Sequence, residues 1–343
     1  MSKITESSLF QLTLVRFREF LREPEAIFWV FLFPILLAGG LGLAFKNRPP
    51  DVLKIGAATE QLVSALSADK GLTAALMDEA TGTQALRNGR IVLYVSGAGT
   101  SSSMKFDDTN PEARTARLLA DRALQRAAGA KDPVQVKDEM VREPGSRYID
   151  FVVPGLLGMN LMGSGIWGLG FTIVDARRRK LLKRLVASPM PRWQYLMSFL
   201  CSRLVMLVFE VAALVGSAAL VFGVPLRGGI GQLAVLCLLS ALSFSCLGLL
   251  IASQARTIEA ASGLMNLVML PMWVLSGVFF SPDKFPAAFQ PFIRLLPLTA
   301  VIDALRSNML QGQPLTAMTW QLAVISGWLI VGFVLALRLF KWR

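Results

Sequence analysis

Apolar residues gather into six stretches along the chain, and each stretch has the length of a bilayer-spanning helix. About 20 residues of α-helix cross the roughly 30 Å hydrocarbon layer. The pattern predicts spans at residues 26–45, 149–174, 196–222, 230–252, 260–280 and 320–340. The composition agrees, since 54% of the 343 residues are hydrophobic and 17% are charged. The sequence therefore predicts an all-α polytopic membrane protein with six transmembrane helices.

The segment between the first two spans, residues 46–148, is long and polar enough to fold as a domain of its own. Hydrophobic periodicity predicts two strands, Val52–Ala58 and Ile91–Ser96, and two helices, Thr59–Ala68 and Pro111–Ala128. Gly97–Ser103 is predicted to be a Gly/Ser-rich loop. Asp107, Asp108 and Asn110 favour a capped turn before the last helix over a cation site. We predict an α+β domain and assign it no chemistry.

Residues 1–25 form a charged flank before the first span. Within them, Glu6–Glu23 has helical amphipathic periodicity and predicts an interface helix along the inner leaflet. A simple charged flank is the alternative for its function. Pro24 interrupts this helix and permits a bend into the first span.

Residues 175–195 hold a dense block of positive charge between two long apolar stretches. Short Lys/Arg-rich loops stay on the cytoplasmic side of a membrane. The block also has an apolar helix face, which includes Leu181, Leu182 and Leu185. It is either a docking helix for a cytoplasmic partner or a solvated loop that sets topology.

Counting Lys and Arg near the spans orients the whole chain. With the N-terminus inside, the inner segments carry fifteen basic residues and the short outer segments carry four. This bias predicts cytoplasmic N- and C-termini and an extracytoplasmic segment 46–148. The net charge of +12 is explained by this topology, so no nucleic-acid partner is predicted.

Several kinds of chemistry are excluded by the residue inventory. The chain has no histidine, which removes imidazole metal sites and His-based catalysis. Its three cysteines all lie in apolar stretches and indicate buried thiols rather than disulfides. No G-x-x-x-x-G-K-[ST] motif is present, so the chain lacks this phosphate-binding loop. We predict no catalytic residues and no metal site.

Polar residues inside the spans are the candidates for a translocation path, because intramembrane charge is costly. Glu210 lies two turns from Arg203 on the same helix face, and it forms either a structural pair with another helix or part of the path. Asn160, Ser164 and Asn266 are weaker candidates that favour helix packing. Six glycines make the second span small-faced, which predicts close helix contact and points to a dimer seam.

The outer segment 281–319 is too apolar to lie free in water. Its Phe and Leu residues, spaced by prolines, predict a re-entrant segment that helps to gate an exit, with a passive interfacial helix as the alternative. Asp303 and Arg306 are one turn apart and are expected to pair. The gate candidates are these two residues with Phe279, Phe280 and Phe292.

Several segments together resemble the permease subunits of ABC-2 type ATP-binding cassette transporters. They include REFLREPEAIFWVFLFPILLAGGLGLAF, the strand and helix segments of the insert, VDARRRKLLKRLVASPMPRWQYLMSFLCSRL, and LPMWVLSGVFFSPDKFPAAFQPFIRLLPLTAVIDALRSNMLQG. The resemblance covers essentially the whole chain. One departure is the run Arg177 to Lys180, where the family often has an acidic residue and Gly-Thr before the Leu.

The resemblance implies a subunit of a bacterial multidrug or lipid exporter in the cytoplasmic (inner) membrane. ATP and Mg²⁺ would sit on a separate cytoplasmic nucleotide-binding ATPase, and a second permease subunit would complete a homo- or heterodimer in the lipid bilayer. The implied ATPase-coupling residues are Arg177, Arg178, Arg179, Lys180, Leu181, Leu182, Lys183, Arg184, Leu185, Ser188 and Pro189. By analogy, the substrate is a drug or lipid-like amphiphile.

A function from a different class is also compatible with the residues. In this alternative the chain is a membrane scaffold or sensor, whose outer domain binds a ligand and whose basic loop recruits a cytoplasmic protein. An ion-coupled carrier is disfavoured, because the spans show no internal repeat and one clear mid-span acid.

Overall fold

A computed structural model of the protein describes residues 8–46, 52–98, 101–130, 147–178, 192–255 and 257–339. The chain divides into two units. One is formed by Met1–Lys46 with Arg142–Arg343, and the other by Asn47–Val141. The implied coupling residues from Arg179 to Pro189 lie outside the described residues, so their role stays a sequence prediction.

Six helices of the larger unit are long and apolar enough to cross a membrane. In chain order, the first to sixth spans are Pro24–Ala44, Tyr148–Asp175, Cys201–Phe222, Ile230–Gln254, Ile258–Leu275 and Thr319–Leu339. The prediction of a mostly helical chain with six spans is confirmed. The fifth helix stops five residues earlier than predicted, because Gly277 has a φ of +80° that turns the chain away. The third span is the second part of a longer helix, Arg192–Phe222.

The second span lies at the centre of the helical unit. Its most apolar window is 72% buried, against 17–28% for the first, third, fifth and sixth spans. Its glycines explain this close packing. A Cβ atom on Gly155 would lie 2.5 Å from the Val278 carbonyl oxygen, and one on Gly165 would lie 2.7 Å from Cβ of Phe244. The expected close contact is present at these two glycines, but other segments of the same chain fill the space, so these two positions do not form a dimer seam.

An N-terminal helix, α1 (Ser8–Leu21), packs against the long third helix. The ring centroids of Phe17 and Phe209 are 6.2 Å apart, and Arg16 Nε donates to Ser198 Oγ over 3.2 Å. The next helix begins at Pro24, where the missing N–H of proline is tolerated at the first helical position. The interruption that the sequence predicts is present at this point, because Glu23 leaves the helical conformation just before Pro24.

The smaller unit holds a four-stranded sheet with three helices. The strands are β1 (Leu53–Ala57), β2 (Leu72–Leu76), β3 (Leu93–Ala98) and β4 (Ser101–Phe106), in the spatial order β2-β1-β3-β4. The helices are α2 (Glu60–Ser67), α3 (Glu79–Arg87) and α4 (Pro111–Ala127). β1 runs parallel to β2 and β3, whereas β3 and β4 form an antiparallel pair.

Two parts of this unit differ from the sequence analysis. The Gly/Ser-rich segment predicted as a loop belongs largely to β3 and β4, because the backbone pairs Gly97 with Ser102 whatever the side chains are. β2 and α3 were not predicted. At the acidic turn, Asp107 accepts from the Thr109 backbone N–H and Asn110 accepts from that of Glu112, as expected of a capped turn.

The segment after the fifth span contains two more helices, α5 (Gln290–Leu295) and α6 (Pro297–Met309). Their helical runs meet at an angle of 83° across Leu296, where proline begins the second helix. Such a bent pair is the geometry of a re-entrant segment or of a broken span. α6 is almost completely buried against the second, fourth and sixth spans.

Candidate functional site

A buried polar cluster joins the first three spans. Arg203 Nη1 lies 2.7 Å from Glu210 Oε1, and Arg203 Nη2 lies 3.3 Å from the other carboxylate oxygen. Glu210 is 3% exposed. Because the two residues are seven apart, they lie two turns apart on one face of a helix, and the long arginine side chain reaches along the helix to the carboxylate. The sequence analysis placed both residues on this face, but it expected a structural partner of Glu210 on another helix, whereas the partner lies on the same helix.

Ser164 of the second span connects the pair to a second helix. Its Oγ accepts from Arg203 Nη2 over 2.6 Å and lies 3.1 Å from Glu210 Oε2. The same oxygen is 2.7 Å from the Asn160 carbonyl, and its single proton serves one of these acceptors at a time. Ser164 opens a π-helical turn, Ser164–Gly168, so the cluster sits at an irregular point of the second span.

Asn160 extends the cluster to the first span. Its Nδ2 donates to the Val30 carbonyl over 3.0 Å. Pro34 lies four residues after Val30 and has no N–H, so it cannot supply the bond that an α-helix would give this carbonyl. Val30 itself belongs to a π-helical turn, Phe28–Leu32. The side-chain bridge thus joins a π turn of the first span to the α-helical turn that precedes the π turn of the second span, and π turns are frequent at functional sites.

The sequence analysis missed a second ion pair, at the start of the second span. Arg147 binds the fully buried Asp150 through Nε and Nη2, both over 2.9 Å. The same guanidinium donates to the carbonyls of Phe222 and Gly223, at the end of the third helix. The spacing of an arginine three residues before an aspartate at a span boundary was the available signal. This pair fixes the second and third spans together at the end opposite the basic loop.

Arg306 is a structural anchor of the bent outer segment. Its Nε and Nη2 donate to the Phe151 carbonyl over 3.3 and 3.1 Å, and Nη2 also donates to the Gly277 carbonyl. The guanidinium carbon lies 3.6 Å from the centroid of the Phe151 ring. The expected contact with Asp303 does not form, because no ion pair within 4 Å joins these two described residues, although their charges attract each other over a longer distance. The backbone carbonyls occupy the donors instead.

The remaining gate candidates lie apart from the polar cluster. Phe280 and Phe292 are 40% and 56% exposed, whereas Phe279 is partly buried and accepts from Tyr148 Oη through its carbonyl. Asn266 is partly buried in the fifth span and makes no hydrogen bond with the part of the chain that the structure describes. The structure therefore brings together Asn160 and Glu210, but not the other candidates.

The basic segment begins within the described helix. Leu169–Arg178 continues the second span beyond its π turn, and Arg178 is exposed. The long third helix begins at Arg192, after the segment whose structure is not described. Two helices that share the polar cluster thus flank the basic segment on both sides.

Comparisons with known proteins agree with this architecture. The family described as ABC-2 family transporter protein matches residues 24–340. The chain belongs to this ABC-2 transporter family. It is 32% identical over 105 residues to nodulation protein J of Rhizobium leguminosarum bv. viciae, a match that covers 31% of this chain and 40% of that protein.

Two further relatives of the ABC-2 chain match longer segments. The inner membrane transport permease YadH of Escherichia coli is 28% identical over 167 residues, or 48% of this chain and 64% of YadH. ABC transporter G family member 20 of Dictyostelium discoideum is 25% identical over 226 residues, or 66% of this chain and 30% of that protein. The chain thus spans less than two thirds of each of these relatives. These matches identify a multi-pass membrane protein of the ABC transporter class.

Proposed function

We propose that this chain is the permease subunit of a bacterial ATP-binding cassette exporter. It moves a hydrophobic or amphiphilic substrate, drug-like or lipid-like, across the cytoplasmic (inner) membrane. The family match over residues 24–340 carries this proposal. The names of two relatives, an inner membrane transport permease and an ABC transporter, support the same class of activity.

The energy for transport comes from a second polypeptide in this proposal. ATP and Mg²⁺ bind to a cytoplasmic nucleotide-binding subunit, and the present chain holds neither. Residues 177–189 form the coupling helix that docks on this ATPase. The seven Lys and Arg residues of the basic segment support its cytoplasmic location, since such loops are not translocated across the membrane. Cytoplasmic termini and an extracytoplasmic sheet unit follow from the same charge bias.

The polar cluster supports a path for mechanical coupling. Ser164 on one side of the coupling segment and Glu210 with Arg203 on the other are hydrogen-bonded to each other. Asn160 adds the first span through the Val30 carbonyl. A displacement of the segment is therefore passed to three spans as one packed unit. The chain would pair with a second permease subunit, which is identical or related to it. This motion would then open and close a path between the two subunits.

The experiment that tests this function is an ATPase measurement in lipid nanodiscs. The chain is co-expressed with a nucleotide-binding protein encoded beside it, purified, and assayed with a panel of lipids and amphiphilic drugs. We expect a stable complex whose hydrolysis is stimulated by some members of the panel. Leu185→Asp should abolish both, because it places a charge on the apolar face that the sequence predicts for docking.

A matched control makes the result specific. Leu118 on α4 is 65% exposed, so Leu118→Asp introduces the same chemical change on the sheet unit without burying a charge. This variant should retain the complex and the stimulation. If Leu185→Asp retains both the complex and the stimulation, the coupling role is rejected. Failure of the wild-type chain to form a complex with any such ATPase would favour the scaffold or sensor function.

A further inference from the structure

A small polar cavity lies beside the bent outer segment, separate from the cluster that joins the first three spans. It measures about 280 Å³ and opens between the turn that follows Ser281 and helices α5 and α6. Drug-sized ligands usually occupy about 300–1,000 Å³, so this cavity suits a head group rather than a whole drug molecule. The Gln290 side chain stabilises the wall of the cavity by donating hydrogen bonds to the carbonyls of Pro282 and Phe285.

Two acceptor groups in the cavity lack protein partners. Thr299 is 2% exposed, and its hydroxyl oxygen has no hydrogen bond. Asp303 lines the same cavity one turn later on α6, and its carboxylate has no hydrogen bond or ion pair within the described residues. A buried hydroxyl and a carboxylate left unsatisfied cost free energy, so such groups require an explanation. A carboxylate only accepts hydrogen bonds, and a threonine hydroxyl can accept as well as donate, so one donor placed between the two groups would satisfy both.

The neighbouring arginines do not supply that donor. The Nε and Nη2 atoms of Arg306 are committed to backbone carbonyls, and its guanidinium is stacked on an aromatic ring. Arg294 lines the cavity but is exposed, and it makes no hydrogen bond within the described part of the chain. The cavity thus has a carboxylate without a hydrogen bond inside and an exposed guanidinium at its rim, and these two charges attract each other without forming an ion pair within 4 Å in the described residues. This polarity fits a zwitterion that enters with its cation first.

We propose that this cavity binds the primary ammonium of a zwitterionic head group, with the anionic group of the same ligand on Arg294. An ammonium carries three N–H donors, which can reach the Asp303 carboxylate and the Thr299 hydroxyl. Phe289, Phe292 and Leu295 around Arg294 are each more than half exposed and can contact the acyl chains of such an amphiphile. The chemistry is that of a phosphoethanolamine head group on a membrane lipid.

Lipid retention on the full-length purified chain tests this site. The chain is equilibrated in mixed micelles with equal amounts of phosphatidylethanolamine and phosphatidylcholine, and the bound lipids are quantified by mass spectrometry. Choline has no N–H to donate, so the site should enrich phosphatidylethanolamine. Asp303→Asn should reduce its affinity about ten-fold or more, the usual effect of losing a charged hydrogen bond. Thr299→Val removes the second acceptor at nearly constant volume and should also reduce enrichment.

Controls separate the possible sources of the ligand and the possible artefacts. Asp108→Asn, an exposed aspartate of the sheet unit, should leave enrichment unchanged. Free phosphoethanolamine that displaces the lipid at comparable concentration would identify a soluble zwitterion as the ligand, whereas failure to displace would assign the site to the membrane lipid. Thermal melting checks that each variant is folded. If Asp303→Asn does not fold, the lipid enrichment of Thr299→Val decides the outcome.

Equal retention of the two lipids by the wild-type chain would overturn the proposal, as would undiminished enrichment in both variants. The measurement needs no ATPase. Its failure is therefore distinguishable from failure of the proposed transport function.

Discussion

Breaking the Arg203–Glu210 pair should destabilise the helical unit strongly, whereas removing both charges should not. Glu210→Gln keeps the size of the side chain but turns an amide N–H₂ towards the donors of Arg203. Glu210 is 3% exposed and the Arg203 side chain is 18% exposed, so solvent compensates little for the unpaired charge. Breaking a buried pair typically costs about 3–5 kcal/mol. We take the lower end, about 3 kcal/mol, because Arg203 is partly accessible.

The double variant Arg203→Met with Glu210→Leu provides the comparison. Replacing a buried ion pair by apolar residues of similar volume is often neutral or stabilising. We therefore expect the double variant to lie within about 1 kcal/mol of the wild type. In the cycle completed by the single variants Arg203→Met and Glu210→Leu, the coupling energy should exceed about 2 kcal/mol.

The assay is thermal unfolding of the purified chain in detergent, followed by tryptophan fluorescence. For large chains, 1 kcal/mol shifts the Tm by about 2 °C, so the single variant should melt about 6 °C lower. Additive losses in the double variant would refute the idea that the two residues act as a pair. A stable double variant that has lost substrate-stimulated ATPase activity would instead give the pair a role in the translocation path.

Three further outcomes follow from the contacts. Gly155→Ala should destabilise the chain by about 1–3 kcal/mol through overpacking, whereas Gly168→Ala, which has open space around its Cβ, should have a much smaller effect in the same melt. Arg147→Met should cost about 3 kcal/mol by leaving the buried Asp150 carboxylate without its guanidinium, and urea titration of secondary structure measures this loss. Asn160→Leu should cost about 1–3 kcal/mol in the same titration, because it strands a carbonyl of the first span; an unchanged midpoint would contradict the bridge.

Helical periodicity predicted much of the larger unit, because apolar length and charge bias are local properties of the chain. The six spans agree with the predicted ranges to within about five residues. The spacing also placed Arg203 and Glu210 on one helix face, but it did not identify them as partners. By contrast, the bond from Asn160 to the Val30 carbonyl depends on how two distant helices pack. Pro34 indicates that this carbonyl needs a partner, but the sequence does not identify the donor.

The smaller unit and the outer segment show where local patterns fail. β2 has a weak hydrophobic signal and is stabilised by parallel pairing with β1, a contact between distant residues. The Gly/Ser-rich segment was expected to be a loop, yet backbone pairing makes it part of two strands. Arg306 was expected to pair with Asp303 because of their spacing. Carbonyls of Phe151 and Gly277, far away in sequence, bind it instead.

The proposed function requires that this chain moves an amphiphile only while a separate subunit hydrolyses ATP. The most direct measurement is transfer of a fluorescent lipid or drug across proteoliposomes that contain the chain with its co-purified ATPase. We expect ATP-dependent transfer by the wild-type complex, no transfer by the Leu185→Asp chain, and normal transfer by the Leu118→Asp control. Transfer that does not depend on ATP would contradict the proposed function. So would a complex that hydrolyses ATP but transfers no member of the substrate panel.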